Sequence, residues 1–251
     1  MTRFDSWRKA AWLSMLVAMM TACSGGTEPE ERDDRTAATT ALRGPGESDS
    51  RLFEVDSKPF GVSMEDWAFD WLRWEYSIPA ATNPALVAGA SYDQHQPEHV
   101  FFVPDGPNHN DAFSVSRHKA VAIMLSQINN DFPCPDPTFK PAPGQSLFDF
   151  LSAGLTTIND NITVLDVTLD GVPIPDLQRY RFTTKRLIFF IGDKSLAANF
   201  DACVTGLPQP AVTDDLFFLL KPLDRGRHLL TVHIVNKDGN VFDRTRTITS
   251  E

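Results

Sequence analysis

The sequence predicts a mainly β, α+β fold: an antiparallel immunoglobulin-like β-sandwich in the C-terminal half, preceded by a buried Trp-rich helix and one further helix. Three observations carry this. Leu165-Asp-Val167-Thr-Leu169 alternates cleanly and runs into Asp170-Gly171, a two-residue hairpin signal. Leu230, Val232 and Ile234 point one way before the turn Asn236-Lys-Asp-Gly239-Asn, and Val241 to Thr249 returns with alternating Thr and Arg. Trp67, Trp71 and Trp74, the only tryptophans beyond the first dozen residues, stand at the i, i+4, i+7 spacing of one helix face. With 251 residues, 42% of them hydrophobic, the chain can bury one good-sized core.

The first residues stand apart from that core. Arg3, Arg8 and Lys9 form a positive stretch, Ala10 to Met20 is a short apolar run, and Met20-Thr21-Ala22-Cys23 follows. The run is too short to cross a bilayer, so residues 1–22 read as a secretory signal. Cys23 at the cut resembles the lipobox of bacterial lipoproteins, which implies cleavage before Cys23 and acylation of its thiol and amine; Ser24 resembles the outer-membrane sorting preference. The expected location is the bacterial cell envelope, lipid-anchored, in the outer membrane. Residues 23–50 hold one large aliphatic residue, Leu42, and read as a disordered tether. A single domain is expected from 51 to 251. Losing residues 1–22 removes three basic residues and one acidic residue and takes the net charge from −10 to −12. That balance argues against nucleic acid and leaves the lipid anchor as the expected tie to membrane.

Within the domain, Leu52 to Val55 and Phe60 to Val62 suggest a short strand leading into the Trp helix. Ser63 with Asp66 forms a capping box, Val62 and Trp67 stand at staple positions, and Pro79 ends the helix. Trp67, Trp71, Trp74 and Ile78 share one side, while Phe69, Leu72 and Tyr76 share nearly the opposite one. A helix apolar almost all round is buried between layers, so the indoles read as core and not as a sugar platform. His99 to Val103 reads as a strand, the polar loop Asn108 to Asp111 leads to Phe113-Ser-Val-Ser116, and the apolar run Ala120 to Leu125 reads as a buried strand. The prolines of 130–145 demand a loop. Ser146 with Asp149 caps a second helix whose apolar side is Leu147, Phe148, Leu151, Leu155 and Ile158. Strands follow at Tyr180–Phe182 and Leu187–Ile191, a loop spans Gly192 to Thr213, and Leu216–Leu220 is a buried strand. Sandwich strands are thus expected over about 161–250.

Taken together, Trp71-x-x-Trp74-x-x-Ser77-x-Pro79 with Asn83-Pro84, the aromatic strand Val100-Phe-Phe-Val, Lys119-Ala with its apolar run, Leu169-Asp-Gly171, Tyr180-Arg-Phe and Pro222-Leu-x-x-Gly226-x-His228 resemble a family of uncharacterised bacterial secreted proteins and lipoproteins. The likeness covers most of 60–235. Members of that family often carry cysteines near the positions of Tyr92 and Ser116, where this chain has none. The family brings no established activity; it implies location and build.

Cys134 and Cys203 remain after Cys23, an even number that in an exported protein suggests a bridge. His95-Gln-Pro-Glu98-His99 matches H-x-x-E-H, whose chemistry needs both imidazoles on one helix face. Pro97 interrupts that helix, so a metal site drawing on His95, His99, His109 and Asp111 is the lesser reading and a solvated loop the main one. No G-x-S-x-G elbow, phosphate loop or dinucleotide fingerprint is present. Glu65, Asp66 and Asp70 suit the N-terminal end of the helix dipole, and His228 and His233 read as structural. The leading expectation is a non-enzymatic envelope lipoprotein, a binding or structural module for a protein or glycan ligand, with no cofactor and no catalytic residue. The alternatives are a secreted hydrolase, metal-dependent or not, using 93–118, and a carbohydrate-binding module.

Overall fold

The computed structural model describes residues 49–104 and 112–251. The signal segment 1–22, Cys23, almost all of the tether, His109 and Asp111 lie outside the described residues. Asp49 already belongs to the folded body, because its buried carboxylate holds Arg51 at 2.5 Å. Leu52 makes one isolated bridge to Leu220, and Pro59–Gly61 is a 3-10 turn with Phe60 at φ 57°, so no strand precedes the Trp helix.

Helix α1 spans Met64–Ser77. Ser63 Oγ accepts from the Asp66 N–H, and Ile78 turns extended before Pro79, as the cap and the proline require. Its two apolar stripes serve two clusters. Trp67, Trp71, Trp74 and Ile78 join the main core, while Phe69, Leu72 and Tyr76 pack with Phe190, Leu196, Val204 and Ala211. Each indole N–H finds a backbone carbonyl: Trp67 on Pro59, Trp71 on Val103 and Trp74 on Gln94. The indoles are therefore core, with no face left to stack on a sugar.

The β-strands are β1 (Val100–Phe102), β2 (Ala112–Val115), β3 (Ala120–Asp131), β4 (Ile162–Leu169), β5 (Val172–Pro173), β6 (Arg181–Thr183), β7 (Ile188–Phe190), β8 (Gln209–Leu220), β9 (Gly226–Asn236) and β10 (Val241–Ser250). They form two sheets: β1-β3-β8-β6, with β7 also on β8, and β2-β10-β9-β4-β5. The sandwich thus draws three strands from residues 100–131 as well as those from 161 onward. Pairing is antiparallel except for β1 on β3 and β2 on β10, which are parallel.

Nearly every residue of β8 and the first six of β3 are buried, so the first sheet is covered on both faces there. Val121 and Ile123 pair with Leu220 and Phe218 on the face turned to Val167, Leu230 and Val232 of the second sheet. Further along that face Ile128 and Val212 meet Leu151 and Leu155. Phe102, in register with Ala122, contacts Trp67 and Trp74 on the opposite face, under α1. A two-sheet sandwich with a helical layer results. Arg244 and Arg246, paired with Val232 and Leu230, point inward; the Arg246 guanidinium donates to the Pro104 carbonyl at 2.6 Å.

Two further expectations are corrected. The second helix, α2, runs only over Leu147–Ser152, because Gly154 at φ 77° turns the chain; Leu155 and Ile158 follow in 3-10 turns and as their flank. Strand β8 starts at Gln209, not at Leu216, because Thr213, Asp214 and Asp215 are buried within the ladder. Among the described residues no helix is long and apolar enough to cross a membrane.

Candidate functional site

A sheet edge exposes unpaired N–H and C=O groups, and here most edges are met by a side chain. On β1, the Gln96 amide pairs with Phe102 on both sides, accepting from its N–H at 2.7 Å and donating to its carbonyl at 2.8 Å. On β7, Arg73 donates from Nε and Nη2 to the Phe189 carbonyl at 3.2 and 3.1 Å. On β5, Pro173 lacks a donor and its carbonyl accepts from Arg51 Nη2 at 2.7 Å. Strand β6 is only three residues long.

Strand β2 differs. Val115 and Arg117 bond to Glu251 on the β10 side, so alternation turns the backbone groups of Ala112 and Ser114 outward. Among the described residues these outward groups have no partner. They border a groove of about 630 Å³ between the β1 and β2 edges, lined by the 89–93 turn, Gln96, Phe101, the whole of β2, Lys119 and Glu251. Its apolar floor is an aromatic cluster, with Phe101 stacked on Phe113 at 5.5 Å and Tyr92 tilted against Phe113 at 5.4 Å. Its charged groups are Asp93, Glu251 and Lys119, the last donating to the Pro97 carbonyl at 2.7 Å. Ser91 Oγ donates to Asp93 at 3.2 Å within one turn, and no histidine or cysteine lines the groove among the described residues. The lining thus offers an aromatic surface, backbone groups, hydroxyls and charge.

The residues nominated from sequence fall as follows. His95 stands at φ 53° with Nδ1 3.1 Å from Ser77 Oγ, while His99 stacks on Phe60 at 5.0 Å. Residues 95–99 are irregular, and the two imidazoles have separate partners. Asp131, Cys134 and Cys203 are the one group among the described residues with metal-ligand spacing, and both cysteines are consumed in a disulfide. His228 lies between Asp170 and the Asp224 carbonyl, and His233 on Asp243. Burial lowers the His228 pKa, but the Asp170 and Asp224 contacts outweigh it and leave the imidazole above its ordinary value.

Beneath the surface lies a polar interior. Asp214 is fully buried and receives Arg181 Nε and Nη2, Thr183 Oγ1 and Asn159 Nδ2, all between 2.5 and 2.9 Å. The hydrogen bond to Asp214 is the main cause that raises the Arg181 pKa. Asp215 faces the other way, opposite Gln127 in the ladder, and its Oδ1 and Gln127 Nε2 have no partner among the described residues. Burial pushes the Asp215 carboxyl well above its ordinary value, with the Thr213 hydroxyl opposing and the Asp214 charge adding. Tyr76, 3.0 Å from Asp201, is raised by burial first and by the charges of Asp201, Asp131 and Glu75 next.

No family model, characterised protein or solved structure matches the chain. The groove therefore stands on its geometry alone. It overlaps the segment 93–118 that the sequence singled out, through Asp93, Gln96, Phe101 and β2, but also draws on 89–92, Lys119 and Glu251, and none of Gln96, Phe113 and Ser114 was nominated. Arg51 and Arg73 were missed for a plain reason: they reach carbonyls 122 and 116 residues away, and no local pattern announces them.

Proposed function

We propose that this protein is a bacterial cell-envelope lipoprotein, lipid-anchored through Cys23 in the outer membrane, that binds a ligand in the groove between β1 and β2. The groove carries this reading: it joins an aromatic floor, an unpaired backbone edge and two carboxylates in one concavity. Concave, partly apolar sites with a few converging polar groups are the ordinary form of a binding site. The lipobox-like Met20-Thr-Ala-Cys23 and the polar stretch after it support the anchor, and the excess of acidic over basic residues argues against nucleic acid. The proposed module works by binding, without a cofactor.

Two measurements test it. Cys23→Ser should release the protein from the detergent-extracted membrane fraction, and mass spectrometry should find an acylated N-terminal peptide only in the unaltered chain. A ligand found by screening oligosaccharides and peptides should slow hydrogen exchange at 89–96 and 112–119; a footprint elsewhere would remove the groove from the proposal.

A further inference from the structure

We infer that the occupant of the groove is an extended polypeptide segment that adds to the second sheet as a strand beside β2. The inference rests on the groove being the binding site, and it goes further by naming the class of ligand. An exposed edge is a template for another chain, and proteins that do not use an edge blunt it. Gln96 occupies β1, Arg73 occupies β7, and Pro173 with Arg51 closes β5. Among the described residues the three-residue β6 and the part of β4 beyond its short pairing with β5 are uncovered too, but the groove runs along neither. The outward edge of β2 has no such plug among the described residues, and it faces an open groove.

Strand addition fits the side chains as well. Backbone hydrogen bonds supply affinity, while pockets for alternate side chains supply specificity. The inward-facing residues of an added strand come beside Phe113, at the rim of the Phe101–Phe113–Tyr92 floor, and are best apolar or aromatic. The flanking residues meet Asp93 and Glu251, whereas the Lys119 ammonium is engaged by the Pro97 carbonyl. Lys or Arg on the ligand complements that balance and the net negative charge of the protein. A glycan could use the aromatic floor and the carboxylates, but it has no use for a row of unpaired peptide groups.

The test uses the full chain, a displayed library of random peptides about nine residues long, long enough to pair along the edge, and a set of bacterial envelope oligosaccharides. Ser114→Pro removes an outward N–H that has no partner among the described residues, so it blocks the edge at no cost in internal hydrogen bonds. Phe113→Ala alters the floor for any ligand. Thermal melts of each variant, compared with the unaltered chain, confirm folding. The expected result is selection of peptides alternating apolar and cationic residues, bound about tenfold or more weakly by Ser114→Pro. Methylating alternate peptide nitrogens of the ligand should cause a similar loss. Peptides that bind Ser114→Pro or the methylated form unchanged, yet lose affinity with Phe113→Ala, would overturn strand addition and leave the groove standing. Oligosaccharide binding sensitive to Phe113→Ala, with no peptide selected, would do the same. If neither probe set depends on Phe113, both the inference and the groove reading fail.

Discussion

Trp71 has no exposed surface, and its indole N–H donates to the Val103 carbonyl at 2.8 Å. Trp71→Ala should cost roughly 3–5 kcal/mol in urea unfolding, because ring and hydrogen bond are lost together. Trp71→Phe should cost less, about 1–3 kcal/mol, since it fills most of the space but leaves the Val103 carbonyl unpaired. A stable Trp71→Ala protein that merely failed to bind would return the indoles to a ligand role. Asp215 behaves differently. Its folded pKa lies above its ordinary value of 3.8, so the stability it allows is complete below 3.8 and falls as pH rises toward the folded value. Asp215→Asn should therefore raise the melting temperature at pH 7, make little difference near pH 3.5, and flatten the profile between. A variant that is less stable at pH 7 would show that the charged form has a partner.

At the scale of elements, the sequence was legible where a local rule decides the outcome. Ser63, Asp66 and Pro79 bound α1, and Asp170 and Gly171, both at positive φ, make the hairpin between β4 and β5. It was illegible where distant partners decide. Gln209 to Thr213 looks like loop because Gln209 finds Asp131 and Thr213 finds Thr184 only in the folded chain. The groove was half visible: its segment was singled out for its histidines, but its working parts are a backbone edge and aromatic residues. The hairpin also holds a pH-dependent contact. His228 Nδ1 lies 2.8 Å from Asp170, whose own carboxyl is pushed up by burial but held lower overall by His228 and the Leu229 N–H. The raised imidazole contributes stability that is complete below 6.5 and lost as pH rises through its folded value; the lowered carboxyl contributes above 3.8 and is lost as pH falls. His228→Gln should remove the part of the stability profile that declines above pH 6.5, as read by melting at several pH values. An unchanged slope there would mean that the pair does not titrate on unfolding.

For the whole molecule, the Cys134–Cys203 disulfide closes a loop with a sequence separation of 69, and it does so at a place already brought together. The ladder of β3 and β8 ends at Asp131 with Ala211, the Phe132 N–H continues to the Pro210 carbonyl, and Gln209 bonds to both Asp131 and the Cys203 carbonyl. The bridge adds little to the native contacts around it. Its effect lies in the unfolded chain, where it restrains the sequence that supplies α2, the β4–β5 hairpin, β6 and β7. For a loop of this size chain entropy gives about 4 kcal/mol. Cys134→Ser with Cys203→Ser should therefore keep the circular dichroism of the native fold while shifting the urea midpoint down by an amount equivalent to about 2–4 kcal/mol, the lower figure allowing for residual structure in the reduced unfolded state. Peptide or oligosaccharide binding at the groove should survive the double substitution, since no groove residue lies inside the closed loop. Loss of the native spectrum on reduction would mean instead that the pairing of β3 with β8 depends on the bridge.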